Sequence, residues 1–369
     1  MPVFGYCYIT GLCEVFYSED QLELKSNSKI AFVCRGGPEN GPFSAAAAAI
    51  IYEGLVRRGL KLSAIFVCSG SVSTALLGCT GEFNRLCTLW ANIRPEDIVG
   101  KINKAKTTYR ALKKESMFRS DALGEFIKKN WNLDAIFSPN AIPIKIPATD
   151  LLSGELIIFS NKNSKHKPWF LEGVLGSKAL VPFLNPTFVY DPEEAELIEK
   201  GKSRQGALML IDGGYKANML LEQAIREQFD LIFLIDIHGL VPTETETNDR
   251  YFWPNLLRKA VHGLSCTNDM RQFQLVDRIN EEIAIKKEIE AVCTDIPIEQ
   301  RKALQAVIDR MNNGRLRLDD KDISEIQMVS NPDKASLFNF IKFEPQDVTK
   351  LLEAGFDAGR EALKILKPL

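Results

Sequence analysis

Two short apolar strands, separated by a glycine-rich turn and a long helix, place the strongest constraint on the fold of this chain. Residues 30–34 (IAFVC) and 64–68 (AIFVC) are β-branched and aromatic runs typical of buried strands. Between them, RGGPENG supplies turn residues, and residues 44–56 (SAAAAAIIYEGLV) are strongly helix-forming. Because strand, helix and strand in this order form a right-handed crossover, the segment predicts a parallel sheet.

The same alternation continues along the chain and predicts an α/β fold with a mostly parallel central sheet flanked by helices. Further strands are predicted at 135–138, 142–147, 156–160, 207–211, 231–237 and 324–329, and helices at 72–77, 82–98, 109–130, 219–228 and 346–366. No Pro/Gly/Ser-rich linker marks a boundary. Residues 29–369 are therefore expected to form a single domain with a helical C-terminal part from about 268 to 369, after an N-terminal extension of residues 1–28.

Composition excludes several classes of function. Of the 369 residues, 45% are apolar and 25% charged, and the net charge of -2 gives no basic surface for nucleic acid. No apolar run reaches the roughly 18 residues that span a bilayer, and the N-terminus lacks a secretory signal pattern, so a cytoplasmic location is expected. The eight cysteines form no C-x-x-C pair, so they are expected to be reduced thiols, and no metal or other cofactor is indicated.

A serine-containing bend follows the second strand. Residues 63–78 (SAIFVCSGSVSTALLG) are typical of a strand, a tight turn and a helix, with Ser69, Gly70 and Ser71 at the bend. A serine on such a turn projects its hydroxyl beyond the edge of the sheet, which is the geometry of a nucleophile elbow. Serine and glycine are also common in any loop between a strand and a helix, so the bend alone leaves both interpretations open.

Three predicted strands end in polar or glycine-rich turns, at residues 35–41, 69–71 and 212–214. Ligands of open parallel sheets gather beyond the carboxyl ends of the strands. Acyl transfer needs a nucleophilic hydroxyl, a base and donors aimed at the oxyanion, and each turn can supply one part. Asp212 is the candidate base, and Gly36 and Gly37 leave backbone amides free to act as oxyanion donors.

These segments together resemble the patatin-like phospholipase family. The resemblance rests on GGPENG at 36–41, the serine turn at 69–71, ATDLLSGELIIFSN at 148–161 and IDGGYKAN at 211–218, in the order of the family's oxyanion turn, elbow and base turn. Softer similarities are LWANIRPEDI at 89–98, GSKALVPFLNPTFV at 176–189 and FDLIFLIDIHGL at 229–240. The resemblance implies a three-layer fold and a serine-aspartate dyad that cleaves carboxylic esters of phospholipids or other lipids through an acyl-enzyme.

The chain departs from the family pattern at the turns that carry the chemistry. The oxyanion turn is Gly36, Gly37, Pro38 and Glu39, and Pro38 has no N–H to donate. The elbow has Val67 and Ser71 where the family has glycine. Spacing from Gly59 and from Trp90 selects Ser69 as the nucleophile, whereas the small flanking residues Ser69 and Ser73 favour Ser71 as the alternative.

Other interpretations stay open at this stage. His238 gives the chain order of a Ser-Asp-His triad with Ser69 and Asp212, although a non-catalytic histidine is expected there, and His166 and His262 have no assigned role. The motif departures favour, as the alternative function, a weakly active or inactive protein that binds lipid or protein. The basic segments 101–114 and 161–168 would suit transient contact with an anionic membrane, but such runs are more often solvated faces. The oligomeric state is not indicated.

Overall fold

The computed structural model describes residues 21–101, 116, 118, 120–181, 183–190, 208–238, 296–312, 325–331 and 343–367, with a few isolated positions between 271 and 289. The predictions for most of the N-terminal extension, for most of the basic stretch 101–114, for His262 and for much of 268–297 lie outside the described residues.

The described strands are β1 (Ile30–Cys34), β2 (Leu62–Val67), β3 (Ile144–Asp150), β4 (Leu156–Ser160), β5 (Thr187–Val189), β6 (Leu208–Asp212), β7 (Leu231–Ile235) and β8 (Glu325–Val329). The described helices are α1 (Asn40–Arg57), α2 (Val72–Gly78), α3 (Phe83–Asn92), α4 (Pro95–Val99), α5 (Asp121–Asn130), α6 (Leu133–Ile136), α7 (Phe170–Ser177), α8 (Leu221–Arg226), α9 (Ile298–Asn312) and α10 (Pro345–Ala362).

All the described strands belong to one sheet. Their order is β5-β6-β3-β2-β1-β7-β8, and β4 pairs with β3. The pairs β1–β2, β1–β7, β2–β3 and β7–β8 are parallel, whereas the pairs that involve β4 and β6 are antiparallel. The predicted α/β fold with a mostly parallel central sheet is confirmed.

Helices cover both faces of this sheet, which gives three layers. Every residue of β1 is fully buried, as expected of a central parallel strand. Phe32 packs in the cluster that contains α1 and α10, whereas Val33 packs on the opposite face with Leu221 of α8. Both faces of the central strands are thus removed from water, and each large side chain buried there stabilises the fold by about 1.5–3 kcal/mol.

Three predicted elements differ in the structure. Of the helix predicted at 109–130, the described helical part is Asp121–Asn130, and Phe118 instead forms a β-bridge with Leu184. Residues 135–138 are not a strand, because Asn132 caps a short helix, α6, by accepting bonds from the amides of Asp134 and Ala135. The single helix predicted at 82–98 is divided into α3 and α4, because the residue before Pro95 is driven out of the helical conformation.

Candidate active site

The sheet brings the ends of β2 and β6 together. β4 pairs with β3 over residues 145–149 and takes up one edge of that strand, so β2 and β6 share the other edge. β2 pairs in parallel at residues 144–145, and β6 pairs antiparallel at residues 148–150. Because the two strands run in opposite directions along one edge, their C-terminal ends face each other. The turn after β2 therefore meets Asp212, the last residue of β6.

Ser69 occupies a strained position in the turn after β2. Its φ is +46°, and among the described residues only Gln228 is another non-glycine residue with positive φ. This conformation costs an L-residue roughly 1–2 kcal/mol. Such strain persists only where the surrounding structure fixes it, and it concentrates at functional sites. A strand, a strained serine and a helix in succession match the geometry of a nucleophile elbow.

Asp212 contacts this serine directly. The Ser69 hydroxyl donates to Asp212 Oδ2 at 2.6 Å, and the Gly214 amide donates to Oδ1 at 2.8 Å. Asp212 is only 4% exposed, and burial raises the pKa of its carboxyl to about 6, against the opposing effects of the Ser69, Gly214, Lys178 and Cys68 contacts. Near neutral pH the carboxylate is therefore ionised but more basic than an exposed one, which suits a general base.

Ser71 has a different environment. It is fully buried with φ at -81°, and its hydroxyl donates to the Arg35 carbonyl oxygen at 2.5 Å and to that of Asn40 at 3.4 Å. These bonds join the elbow to the oxyanion turn. Of the two candidate nucleophiles, Ser69 is the one whose hydroxyl is hydrogen-bonded to Asp212.

The close approach expected of a flanking glycine occurs at Gly70. A β-carbon added there would lie 1.9 Å from the Gly37 carbonyl oxygen, so only glycine lets the two turns meet. Val67 does not crowd the bend, because it is the last residue of β2 and its side chain is fully buried in the core. At this bend the position that must be glycine is therefore Gly70, the residue after Ser69.

The oxyanion turn offers fewer amides than its sequence suggests. The Gly36 amide donates to the Asn218 carbonyl oxygen at 2.8 Å, so that N–H is already engaged. Pro38 has none, and the Glu39 amide is bonded by its own carboxylate. The Gly37 amide has no hydrogen-bond partner within the described part of the chain, which leaves it as the candidate donor.

A buried polar network holds the oxyanion turn on the sheet. Arg35 pairs with the fully buried Asp236 at 3.2 Å. Asn40 donates to Asp236 Oδ1 and to the Gly36 carbonyl oxygen, each at 3.1 Å, and accepts from the Ile237 amide at 2.9 Å. The Asn40 side chain is therefore buried with its hydrogen bonds satisfied, and these bonds fix the position of the turn.

Neither of the two described histidines, His166 and His238, is hydrogen-bonded to Asp212. His238 Nε2 bonds Glu39 Oε1 at 2.9 Å, at the oxyanion turn, while Asp212 binds the serine directly. Burial raises the pKa of Glu39, but the bonds from His238 and from its own amide outweigh this effect and hold the pKa below its usual value. His166 accepts a bond from the Ser160 amide at 2.9 Å. That His238 is not catalytic stays a prediction.

Sequence reasoning missed three consecutive residues that contact the pair. The Ser69 amide donates to Ser177 Oγ at 3.3 Å, Lys178 Nζ donates to the Ser69 carbonyl oxygen at 3.0 Å, and the Asp212 amide donates to the Ala179 carbonyl oxygen at 3.0 Å. The one sequence feature that marks this segment is Lys178, a charged residue inside the otherwise small and apolar run GSKALVPF. The sequence does not indicate that Lys178 contacts Ser69.

Within the described residues, no group of three or more His, Cys, Asp or Glu side chains could hold a metal ion. The described cysteines are free thiols: Cys34, Cys68 and Cys79 are buried and Cys87 is half-buried. No described helix combines the length and the apolar character needed to cross a membrane.

No family model matches the chain, and no curated protein matches it. Among solved structures, the chain is similar to the crystal structure of VipD from Legionella pneumophila. The match has a TM-score of 0.39 and 12% sequence identity, and it covers 92% of this chain and 67% of that chain. A likeness of this strength adds nothing to the geometry of the site.

Proposed function

We propose that this chain is a serine acyl hydrolase of the patatin-like class that cleaves carboxylic esters of lipids. The observation that carries the proposal is the 2.6 Å bond between the strained Ser69 hydroxyl and the buried Asp212 carboxylate. A nucleophilic serine needs a base within hydrogen-bond reach, and this contact supplies one without a histidine. The lipid part of the proposal rests on the family resemblance of the three turns.

The reaction follows from the positions of these groups. Asp212 takes the hydroxyl proton while Ser69 Oγ attacks the ester carbonyl, which forms a tetrahedral oxyanion. When the intermediate collapses, the C–O bond to the alcohol breaks and the proton passes from Asp212 to the leaving oxygen. Water, deprotonated by Asp212, then attacks the acyl-serine carbonyl. The bond between the carbonyl carbon and Ser69 Oγ breaks as Asp212 returns the proton to Ser69 Oγ, and the acid is released. Gly37 is the proposed oxyanion donor.

The weak oxyanion turn is the reason to retain a second candidate function. Loss of a single oxyanion donor lowers turnover by roughly 100- to 1000-fold in well-studied acyl-transfer enzymes. Here the Gly36 amide is engaged by Asn218 and Pro38 has no N–H. A weakly active or inactive protein of the same fold, acting in lipid or protein binding, is the alternative that these contacts favour.

Ester turnover separates the two candidates. The purified chain would be assayed with a soluble short-chain ester and with phospholipid vesicles, beside the variants Ser69→Ala, Asp212→Asn and Ser71→Ala. We expect turnover that Ser69→Ala and Asp212→Asn abolish. Ser71→Ala, which removes the bond to the Arg35 carbonyl oxygen, should retain part of that turnover. No turnover on either substrate would favour the binding protein. Loss in Ser71→Ala with retention in Ser69→Ala would move the nucleophile to Ser71.

A further inference from the structure

Residues 177–179, at the end of α7 and just after it, are hydrogen-bonded to the backbones of both Ser69 and Asp212. Ser177 accepts from the Ser69 amide, and Lys178 donates to the Ser69 carbonyl oxygen. Ala179 accepts from the Asp212 amide. Both backbone polar groups of the strained serine are therefore bonded to adjacent side chains of a single segment, and the same segment fixes the base.

Lys178 is the member of this segment whose presence is hardest to explain by packing. It is partly buried, and burial lowers the pKa of its ammonium group to about 8, while the negative charge of Asp212 acts in the opposite direction. A desolvated ammonium group lowers stability unless its partners compensate. The partners here are the Ser69 carbonyl oxygen, at 3.0 Å, and the negative charge of Asp212.

The elbow needs such support because Ser69, which carries a side chain, holds a φ of +46°. A residue in this conformation returns to a relaxed backbone unless the surrounding structure over-determines it. A charged donor on the Ser69 carbonyl oxygen is a stronger restraint than a neutral one, because charge-assisted hydrogen bonds are about twice as strong.

We propose that Lys178 is a positioning residue of the Ser69–Asp212 pair, whose ammonium group fixes the Ser69 carbonyl and thereby keeps the hydroxyl aligned with the carboxylate. The inference rests on the proposed function. Lys178 also places a positive charge near the base. Asp212 is faced by the Ser69 hydroxyl, the Cys68 thiol, the Gly214 amide, the Tyr215 phenol and Lys178, and of these groups Lys178 is the cation.

Two consequences of replacing Lys178 with an uncharged side chain follow. The Ser69 backbone loses a restraint, so the hydroxyl spends less time in line with Asp212 and the serine reacts more slowly. The Asp212 carboxylate loses a nearby positive charge, so the pKa of Asp212 rises and the acid limb of the pH profile moves to higher pH.

The test measures the rate at which a fluorophosphonate probe labels Ser69 between pH 5 and pH 9, together with the melting temperature. The variants are Lys178→Met, which has a similar length and no donor, Lys178→Arg, which keeps the charge and the donors, and Lys165→Met, an exposed lysine in the 161–168 loop as the matched control. We expect Lys178→Met to lower the labelling rate by about tenfold or more and to move the acid midpoint upward. Lys178→Arg should recover part of the rate, and Lys165→Met should match the unmodified chain.

A merely structural lysine would give another pattern. In that case Lys178→Met would lower the melting temperature without moving the acid midpoint of labelling. A Lys178→Met variant with the labelling rate and acid midpoint of the unmodified chain would overturn the inference. If Lys178→Met fails to fold, Lys178→Gln keeps the position polar and uncharged and is judged by the same two readouts. Absence of labelling in the unmodified chain would refute the proposed function and the inference together, whereas normal labelling of the Lys178 variants would refute the inference alone.

Discussion

Ser69 and Asp212 each lower the stability of the fold in a way that the surrounding contacts offset. Ser69 holds a φ of +46°, and burial raises the pKa of Asp212 to about 6. Unfavourable features of this kind concentrate at sites where activity is selected over stability, and their removal commonly stabilises a protein. Both residues therefore make predictions that stability measurements can test independently of any substrate.

The strain at Ser69 predicts that glycine is more stable than alanine at this position, the reverse of the usual order. At an ordinary position glycine is less stable than alanine by about 0.5–1 kcal/mol. At Ser69 we expect Ser69→Gly to be the more stable of the two variants by about 1 kcal/mol, because glycine adopts a positive φ without steric cost. Chemical denaturation measures the difference.

Ser71 is the matched control for this comparison, since it lies two residues away with φ at -81°. Ser71→Gly should be less stable than Ser71→Ala. If glycine and alanine rank in the same order at both positions, the backbone of Ser69 is not strained in solution.

The pKa of Asp212 predicts the acid limb of the activity profile. The carboxyl must be ionised to accept the Ser69 proton, and burial raises its pKa to about 6. Turnover should therefore fall as the pH drops through about 6, well above the range in which an exposed aspartate titrates. The measurement is turnover of a soluble ester against pH. A profile that stays flat down to pH 4.5 would contradict Asp212 as the base.

At the scale of elements, the hairpin of β3 and β4 extends beyond the site. Asp212 pairs with Ala148, and β3 continues to Asp150, roughly 7 Å farther at about 3.3 Å per residue. Leu151 and Leu152 lie in the turn that follows. Leu151 is 46% exposed and Leu152 72%. Asp150 fixes the turn by accepting from the Ser153 amide and hydroxyl, at 3.0 and 2.6 Å. A rigid tip thus presents two leucines to solvent.

This tip predicts a difference between dissolved and aggregated substrates. If the substrate lies in a lipid surface, the two leucines gain favourable burial there of about 1.5–3 kcal/mol each. Replacing both, with Leu151→Ser and Leu152→Ser, should lower turnover on phospholipid vesicles by tenfold or more and leave turnover of a soluble short-chain ester unchanged. Equal loss on both substrates would show that the tip supports the fold or the site rather than lipid contact.

For the whole molecule, the predictions that hold are those that depend on local sequence patterns and on the order of the turns along the chain. The alternation of apolar strands and helices predicted the α/β sheet correctly, because buried parallel strands have a strong local signature. The order of the three turns placed Ser69 and Asp212 on candidate strand ends, and the structure brings these two residues within hydrogen-bond distance. Their catalytic roles stay predictions.

Other features depend on contacts between distant segments and could not be predicted. The Gly36 amide is engaged by a carbonyl of Asn218, which follows a different strand. Lys178 reaches Ser69 only because of the way α7 ends against the sheet. The run 135–138 is short and apolar, so its pattern fits either a strand or a helix. The Asn132 cap stabilises the helix.

The most direct test of the central claim is the site at which a fluorophosphonate attaches to the intact chain, identified by peptide mass mapping. A Ser69 hydroxyl activated by Asp212 should be the modified atom, and Asp212→Asn should suppress the modification while the chain stays folded. Modification of Ser71, or none under conditions in which a known serine hydrolase reacts completely, would contradict the account.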